Sequence, residues 1–219
     1  MPTLLYIDTS ADHIAIAVSR NGSVRAEKRE YTTHQQAALI NIMIEDVLRD
    51  AGFSLAELDA LAVCGGPGSY TGLRVGLSAA KGLCFALQKP LMLFHKLFLL
   101  ALSASPFPET TMMIALKARQ DELFIAGYHQ TLKEILPPQH AFSSDLDPIL
   151  PEYDIILTNY EELPVFEERH TRPLHHEINM EKWSAYAENR YAQGAFDDLA
   201  YSEPFYLKAA FTTTAKKKI

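Results

Sequence analysis

Cys64-Gly65-Gly66-Pro67-Gly68-Ser69-Tyr70-Thr71-Gly72-Leu73-Arg74 links an apolar run, Leu58 to Val63, to a stretch rich in helix formers, Val75 to Leu87. The order is strand, glycine-rich turn, helix. Glycines at 65, 66, 68 and 72 allow positive φ and let a backbone or a ligand come close. Pro67 removes a donor and stiffens the turn, while Ser69 and Thr71 can satisfy unpaired N–H groups of the first helical turn. A loop of this kind can receive an anion at the helix N-terminus. The familiar phosphate patterns do not fit. A P-loop ends in Gly-Lys-Ser/Thr, where Tyr70-Thr71-Gly72 stands here, and the dinucleotide fingerprint lacks its last glycine. Turns of this composition commonly serve geometry alone. A structural turn and a phosphate cradle both stay open.

Of the 219 residues 48% are apolar and 21% charged, the balance of a soluble globular chain with room for one large domain or two small lobes. No apolar run approaches the ~20 residues that span a bilayer. The start, Met1-Pro2-Thr3-Leu4-Leu5-Tyr6-Ile7-Asp8, lacks the basic region of a signal peptide. Cys64 and Cys84 fall in predicted core elements and read as buried thiols in a reducing compartment. A cytoplasmic protein without membrane partners is expected. The net charge of −7 disfavours nucleic acid over the surface as a whole. Lys216-Lys217-Lys218 is the local exception, either a solvated tail or a contact with RNA or with a partner's acidic face.

Along the chain, Leu4 to Asp8, His13 to Ser19 and Ser23 to Tyr31 read as strands, with Asn21-Gly22 a hairpin turn. From Gln35 to Ala51 the spacing predicts a helix ended by Gly52, with an apolar arc wider than the ~100° of one packing face. Leu58 to Val63 is a buried strand, and Leu73 to Gln88 is the helix after the loop. Pro90 to Phe94 is a strand, and Lys96 to Ala104 a helix. Ser105-Pro106-Phe107-Pro108 breaks the pattern and divides residues 1–104 from 105–219. Strands follow at Met112 to Lys117, Glu122 to Tyr128, weakly at Leu132 to Phe142, and at Asp154 to Thr158, then a helix from Glu181 to Gln193. Three antiparallel strands followed by alternating helix and strand, occurring twice, resemble the duplicated ribonuclease H-like α/β fold of actin, sugar kinases and the heat-shock ATPases, here with an eroded second lobe.

Gly66-Pro67-Gly68-Ser69-Tyr70-Thr71-Gly72-Leu73-Arg74-Val75-Gly76, with Ala80-Lys81-Gly82-Leu83 after it, resembles the signature of the TsaB family, also called YeaZ. Its members are the dimerisation subunits of the machinery that makes threonylcarbamoyladenosine in tRNA. The resemblance covers residues 1 to about 119 and then short islands, among them Glu203-Pro204-Phe205-Tyr206-Leu207-Lys208, which is similar to the family's Pro-x-Tyr-Leu-Arg/Lys segment.

Asp8-Thr9-Ser10 ends the first strand, where ATPases of this superfamily place an acid and hydroxyls near phosphate and magnesium. No glycine-rich hairpin follows, so a vestigial nucleotide site competes with a plain strand cap. Thr33-His34-Gln35-Gln36 is similar to the family's His-Ser segment with Gln35 replacing the serine. A helix-start or interface role stands against proton transfer by His34. TsaD, the catalytic relative, carries a His-x-x-x-His metal pair, whereas His95 has Leu99 four residues on. His170, His175, His176 and Glu177 read as a surface loop, since Met180 stands where a zincin motif needs histidine. In Met113 to Arg119, Lys117 replaces the acid usual in the family, while Arg119 is kept.

Gly72, Gly76, Ala79, Ala80 and Gly82 make the helix after the loop poor in side chains, and each helical glycine costs ~1 kcal/mol against alanine. Together with the wide arc of the first helix this points to a partner surface, with a helix sandwiched in the core as the alternative. The expected interface residues are Leu39, Ile40, Met43, Val47, Leu73, Gly76, Leu77 and Ala80. The resemblance implies a non-catalytic subunit with no cofactor of its own that pairs with a TsaD-like enzyme, or with itself when alone. A TsaE-like ATPase would join them, ATP and metal would reside on the partner subunits, and tRNA would be met through the complex. A kinase-like phosphotransferase or a glycoprotease-type peptidase is the competing class. The first needs two phosphate hairpins and a second acid, the second a nucleophile–base set or a metal pair, and neither is visible. A homodimeric binding module is a third.

Overall fold

The computed structural model describes residues 1–31, 35–160, 171–175 and 177–208. Thr33, His34, His170, His176 and the Lys216–Lys218 tail lie outside the described residues.

The first sheet has the order β3-β2-β1-β4-β5. Its strands are β1 (Thr3–Asp8), β2 (Ile14–Arg20), β3 (Ser23–Glu30), β4 (Ala60–Cys64) and β5 (Leu91–Phe94). β1 pairs antiparallel with β2 and parallel with β4, and β4 pairs parallel with β5. The continuous apolar runs of β1, β4 and β5 suit strands covered on both faces, and every residue in them is buried. β3 alternates partly buried with charged, exposed positions, as an edge strand facing water should.

Two helices cover one face of this sheet: α1 (Gln36–Ala51) and α2 (Tyr70–Leu87). Gly52 closes α1 in the left-handed region at φ 73°, and Ser69 caps α2 by accepting from Gly72 N at 3.2 Å. The opposite face is covered by α3 (Lys96–Ala104) and α4 (Met180–Ala192). Trp183 of α4 is fully buried there, edge-on to Tyr6 and Phe94. α4 starts one residue earlier than the spacing predicts because Asn179 caps it, accepting from Lys182 N at 3.0 Å.

The second sheet has the order β10-β9-β6-β7-β8, from β6 (Thr111–Lys117), β7 (Glu122–His129), β8 (Glu134–Phe142), β9 (Ile155–Thr158) and β10 (Thr171–Pro173). β6, β7 and β8 are antiparallel neighbours, and β6, β9 and β10 run parallel. This repeats the first sheet strand for strand, so the fold is the duplicated actin-like one. The second copy is reduced: two 3-10 turns, Ser143–Asp145 and Leu150–Glu152, stand where the first copy has α1. Pro137 and Pro138 sit in β8 at the sheet edge, where a missing donor is tolerated.

The described elements after residue 105 pack on both sheets. α3 packs its Leu97, Leu100 and Ala101 onto β6, β7 and β9, tying the two sheets together. α4 crosses back onto the first sheet. Both cysteines are free and buried. Among the described residues no helix is long and apolar enough to cross a membrane.

Candidate functional site

The glycine loop closes on the end of β1. Ser69 N donates to Ser10 O at 2.8 Å, and Thr9 Oγ1 donates to Gly72 O at 2.7 Å. A Cβ on Gly68 would lie 2.0 Å from Ser10 O, and one on Gly72 2.1 Å from Thr9 O. Both glycines are therefore there for the close approach of α2 to β1. Of the two openings, structural turn and phosphate cradle, the space at these glycines is taken by the chain itself. On the other side of the loop, Gly66 O accepts from Lys96 N at 2.6 Å and Gly65 O from Phe205 N at 2.8 Å. Thr71 is exposed.

Asp8 lies fully buried beneath this junction. Its Oδ1 accepts from Ser10 N at 2.9 Å and Ser10 Oγ at 2.5 Å, and its Oδ2 is 3.5 Å from His13 Nε2. Burial alone would raise its pKa. The His13 ring, the charge of Lys96 and the Ser10 hydroxyl outweigh it, so the carboxyl is held well below the ordinary carboxylate range. The same burial, with Asp8 nearby, pushes the Cys64 thiol far up. His13 also borders a cavity of about 940 Å³ with Arg29, Tyr31 and Glu177.

His95 ends β5 as the cap of α3, its Nδ1 accepting from Leu97 N at 3.3 Å and its ring stacked on Phe205. Burial lowers its pKa to about 4, so the imidazole is neutral at pH 7. Leu99 is fully buried in the core on the α3–α4 face. Among the described residues no three His, Cys, Asp or Glu side chains gather as a metal site would require.

Between the two sheets lies a cleft of about 510 Å³. Ser10, Gly68 and Ser69 form its floor on the first lobe, and Lys117, Arg119 and Asn159 face it from the second. Lys117 is exposed and packs over the Tyr160 ring at 4.0 Å. Its backbone N–H donates to Asn159 Oδ1 at 2.7 Å. Phe205 to Lys208, from the segment 203–208, also line this cleft. Arg74 holds the segment, donating from Nε to Tyr206 Oη at 3.0 Å and from Nη2 to Tyr70 Oη, with the guanidinium 4.0 Å above the Tyr70 ring. Lys208 pairs with Glu122 on β7, which also meets His140 at 3.0 Å. The sequence marks residues 203–208 as a family-like segment but not where they pack. The signal was Pro204-Phe205-Tyr206 beside Lys208, aromatic and basic groups with no helix of their own.

The expected interface residues need correction. Ile40, Met43, Val47, Leu77 and Ala80 are buried in the chain's own core against the first sheet, and Leu39 packs partly buried on the same cluster. Leu73 is buried against the glycine loop. Gly76 faces β1, where a Cβ would come 2.3 Å from Thr9 Oγ1. The outward faces of the same helices carry other residues. Ile42 of α1 is 55% exposed, and Phe85 of α2 is 81% exposed. Ala38, Ser78, Gly82 and Ala86 are exposed as well.

Residues 25–206 match the family model of TsaD, described as tRNA N6-adenosine threonylcarbamoyltransferase. The chain is 30% identical to the tRNA threonylcarbamoyladenosine biosynthesis protein TsaB of Bacillus subtilis (strain 168), over 69% of this chain and 67% of that protein. The chain belongs to the TsaB/YeaZ family. Its likeness to TsaB of Escherichia coli (strain K12) is 32% over 128 residues, 58% of this chain and 55% of that protein, so the match spans about half of that relative's length. The solved structure of YeaZ from Pseudomonas aeruginosa superposes with a TM-score of 0.77 at 26% identity, over 94% of this chain and 100% of that one.

Proposed function

We propose that this chain is an accessory, non-catalytic subunit in the synthesis of N6-threonylcarbamoyladenosine in tRNA, and that it binds and supports a TsaD-type threonylcarbamoyltransferase. The observation that carries this is the outer surface of α1 and α2. Both helices already cover the first sheet with one face, yet they leave Ile42 and Phe85 in water beside small residues that let another backbone approach. The TsaB-named relatives support the pathway, and the TsaD family model supports a partner of the same fold. The chain's own acid is fully buried with one oxygen taken by Ser10, and its metal-pair position holds Leu99. Catalysis, with its ATP and metal, then rests on the partner subunits, a TsaE-like ATPase among them. Alone, the same face pairs with a second copy of the chain. tRNA is met through the complex, in the cytoplasm.

Depletion of the chain in its own cell tests the reading through the modified nucleosides of bulk tRNA. Threonylcarbamoyladenosine should fall and return with the wild-type chain. Unchanged levels would exclude the role.

A further inference from the structure

Lys96 is an unusual residue to bury. It opens α3 on the floor of the inter-lobe cleft and is only 3% exposed. The other cations lining that cleft are answered: Lys117 by the Tyr160 ring, Lys208 by Glu122, and Arg119 by a contact of its own. The ammonium of Lys96 takes no hydrogen bond and no direct ion pair among the described residues. The charge of the buried Asp8 acts on it through space; Ser10 takes one Asp8 oxygen, while the other, 3.5 Å from His13 Nε2, has no hydrogen bond among the described residues. A buried ammonium without a direct partner is costly and favours an arriving anion. The four cations lining the cleft face two acids, Asp12 and Glu122, and Leu73, Phe124 and Phe205 supply apolar walls.

We propose that the cleft binds an organic oxyanion, a phosphate or carboxylate carried on a flat apolar body, directly on Lys96 and without a bridging cation. The site is independent of the partner face on α1 and α2, and stands or falls apart from the accessory-subunit reading.

Calorimetric titration of the whole chain with phenyl phosphate and with benzoate, in EDTA at constant ionic strength, provides the test. At least one should bind, and the pair tells phosphate from carboxylate. Lys96→Met combined with Asp8→Asn removes both buried charges together and should weaken binding by about tenfold or more, the scale of one charge-assisted hydrogen bond. Should that variant fold poorly, the ζ-nitrogen NMR resonance of Lys96 in the wild-type chain reads the same contact, and it should move on titration. Binding of neither probe, binding that needs a divalent cation, undiminished affinity in the folded double variant, or an unmoved Lys96 resonance would each overturn the proposal.

Discussion

At the scale of single residues, position 76 decides what α2 is for on its inner side. Gly76 lets α2 lie against Thr9 and Ile7, so leucine there has no room short of moving the helix. Gly76→Leu is expected to destabilise the fold by about 1–3 kcal/mol or more, read as a lowered thermal midpoint and yield. An unchanged midpoint would mean that Gly76 looks outward after all. His95 makes a second residue-scale prediction. Its folded pKa, about 4, lies below the ordinary value of 6.5. The unfolded chain therefore binds more protons between those pH values, and stability falls as pH drops from about 6.5 towards 4, by at most about 1.4 kcal/mol per pH unit from this one group. His95→Phe, which keeps a ring against Phe205, should flatten that part of the curve. Asp8 acts lower. Its depressed pKa adds stability above the ordinary carboxylate value that is lost as pH falls below about 4. Asp8→Asn should therefore lose stability at neutral pH and show a shallower acid limb, and an acid limb as steep as the wild type would contradict the buried carboxylate.

At the scale of elements, the strap over residues 203–208 joins the glycine loop to β7. It depends on Arg74 reaching Tyr206 and on Phe205 bonding Gly65. The Lys208–Glu122 pair, with Lys208 37% exposed, adds little because solvent screens it. Arg74→Ala should thus speed amide exchange at Phe205 while lowering global stability only slightly, and unchanged exchange would show that the strap stands without it. The segment was recognisable by its likeness to the family, but its path was not legible because it has no periodicity; its order comes from contacts with loops far away in the chain. The strands were legible where apolar runs are short and bounded, as in β1, β4 and β5, and the end of α1 where Gly52 stands; α2 starts at Tyr70, three residues before the expected Leu73, because Ser69 caps it. Which side of α1 and α2 faces inward was not. Ile40 and Ile42 are equally apolar, and only the position of the sheet separates the buried one from the exposed one. α4 was read as a helix correctly, but nothing in its own residues says that Trp183 packs on β1 rather than on the nearer sheet.

At the scale of the whole molecule, two copies of one sheet topology have diverged in what covers them. The first keeps two helices on each face, while the second keeps 3-10 turns where a helix would lie. On the first lobe the α1–α2 face leaves Ile42 and Phe85 exposed, on a chain of net charge −7. A charge placed in that face should leave the core untouched and remove the partner. The most direct measurement is co-elution of the purified chain with the TsaD-type subunit of the same cell, for the wild type and for Ile42→Glu with Phe85→Glu. The wild type should co-elute, and the variant, with a near-unchanged thermal midpoint, should elute alone. A wild-type chain that never meets that subunit, or a variant that binds it as well as the wild type does, would contradict the account.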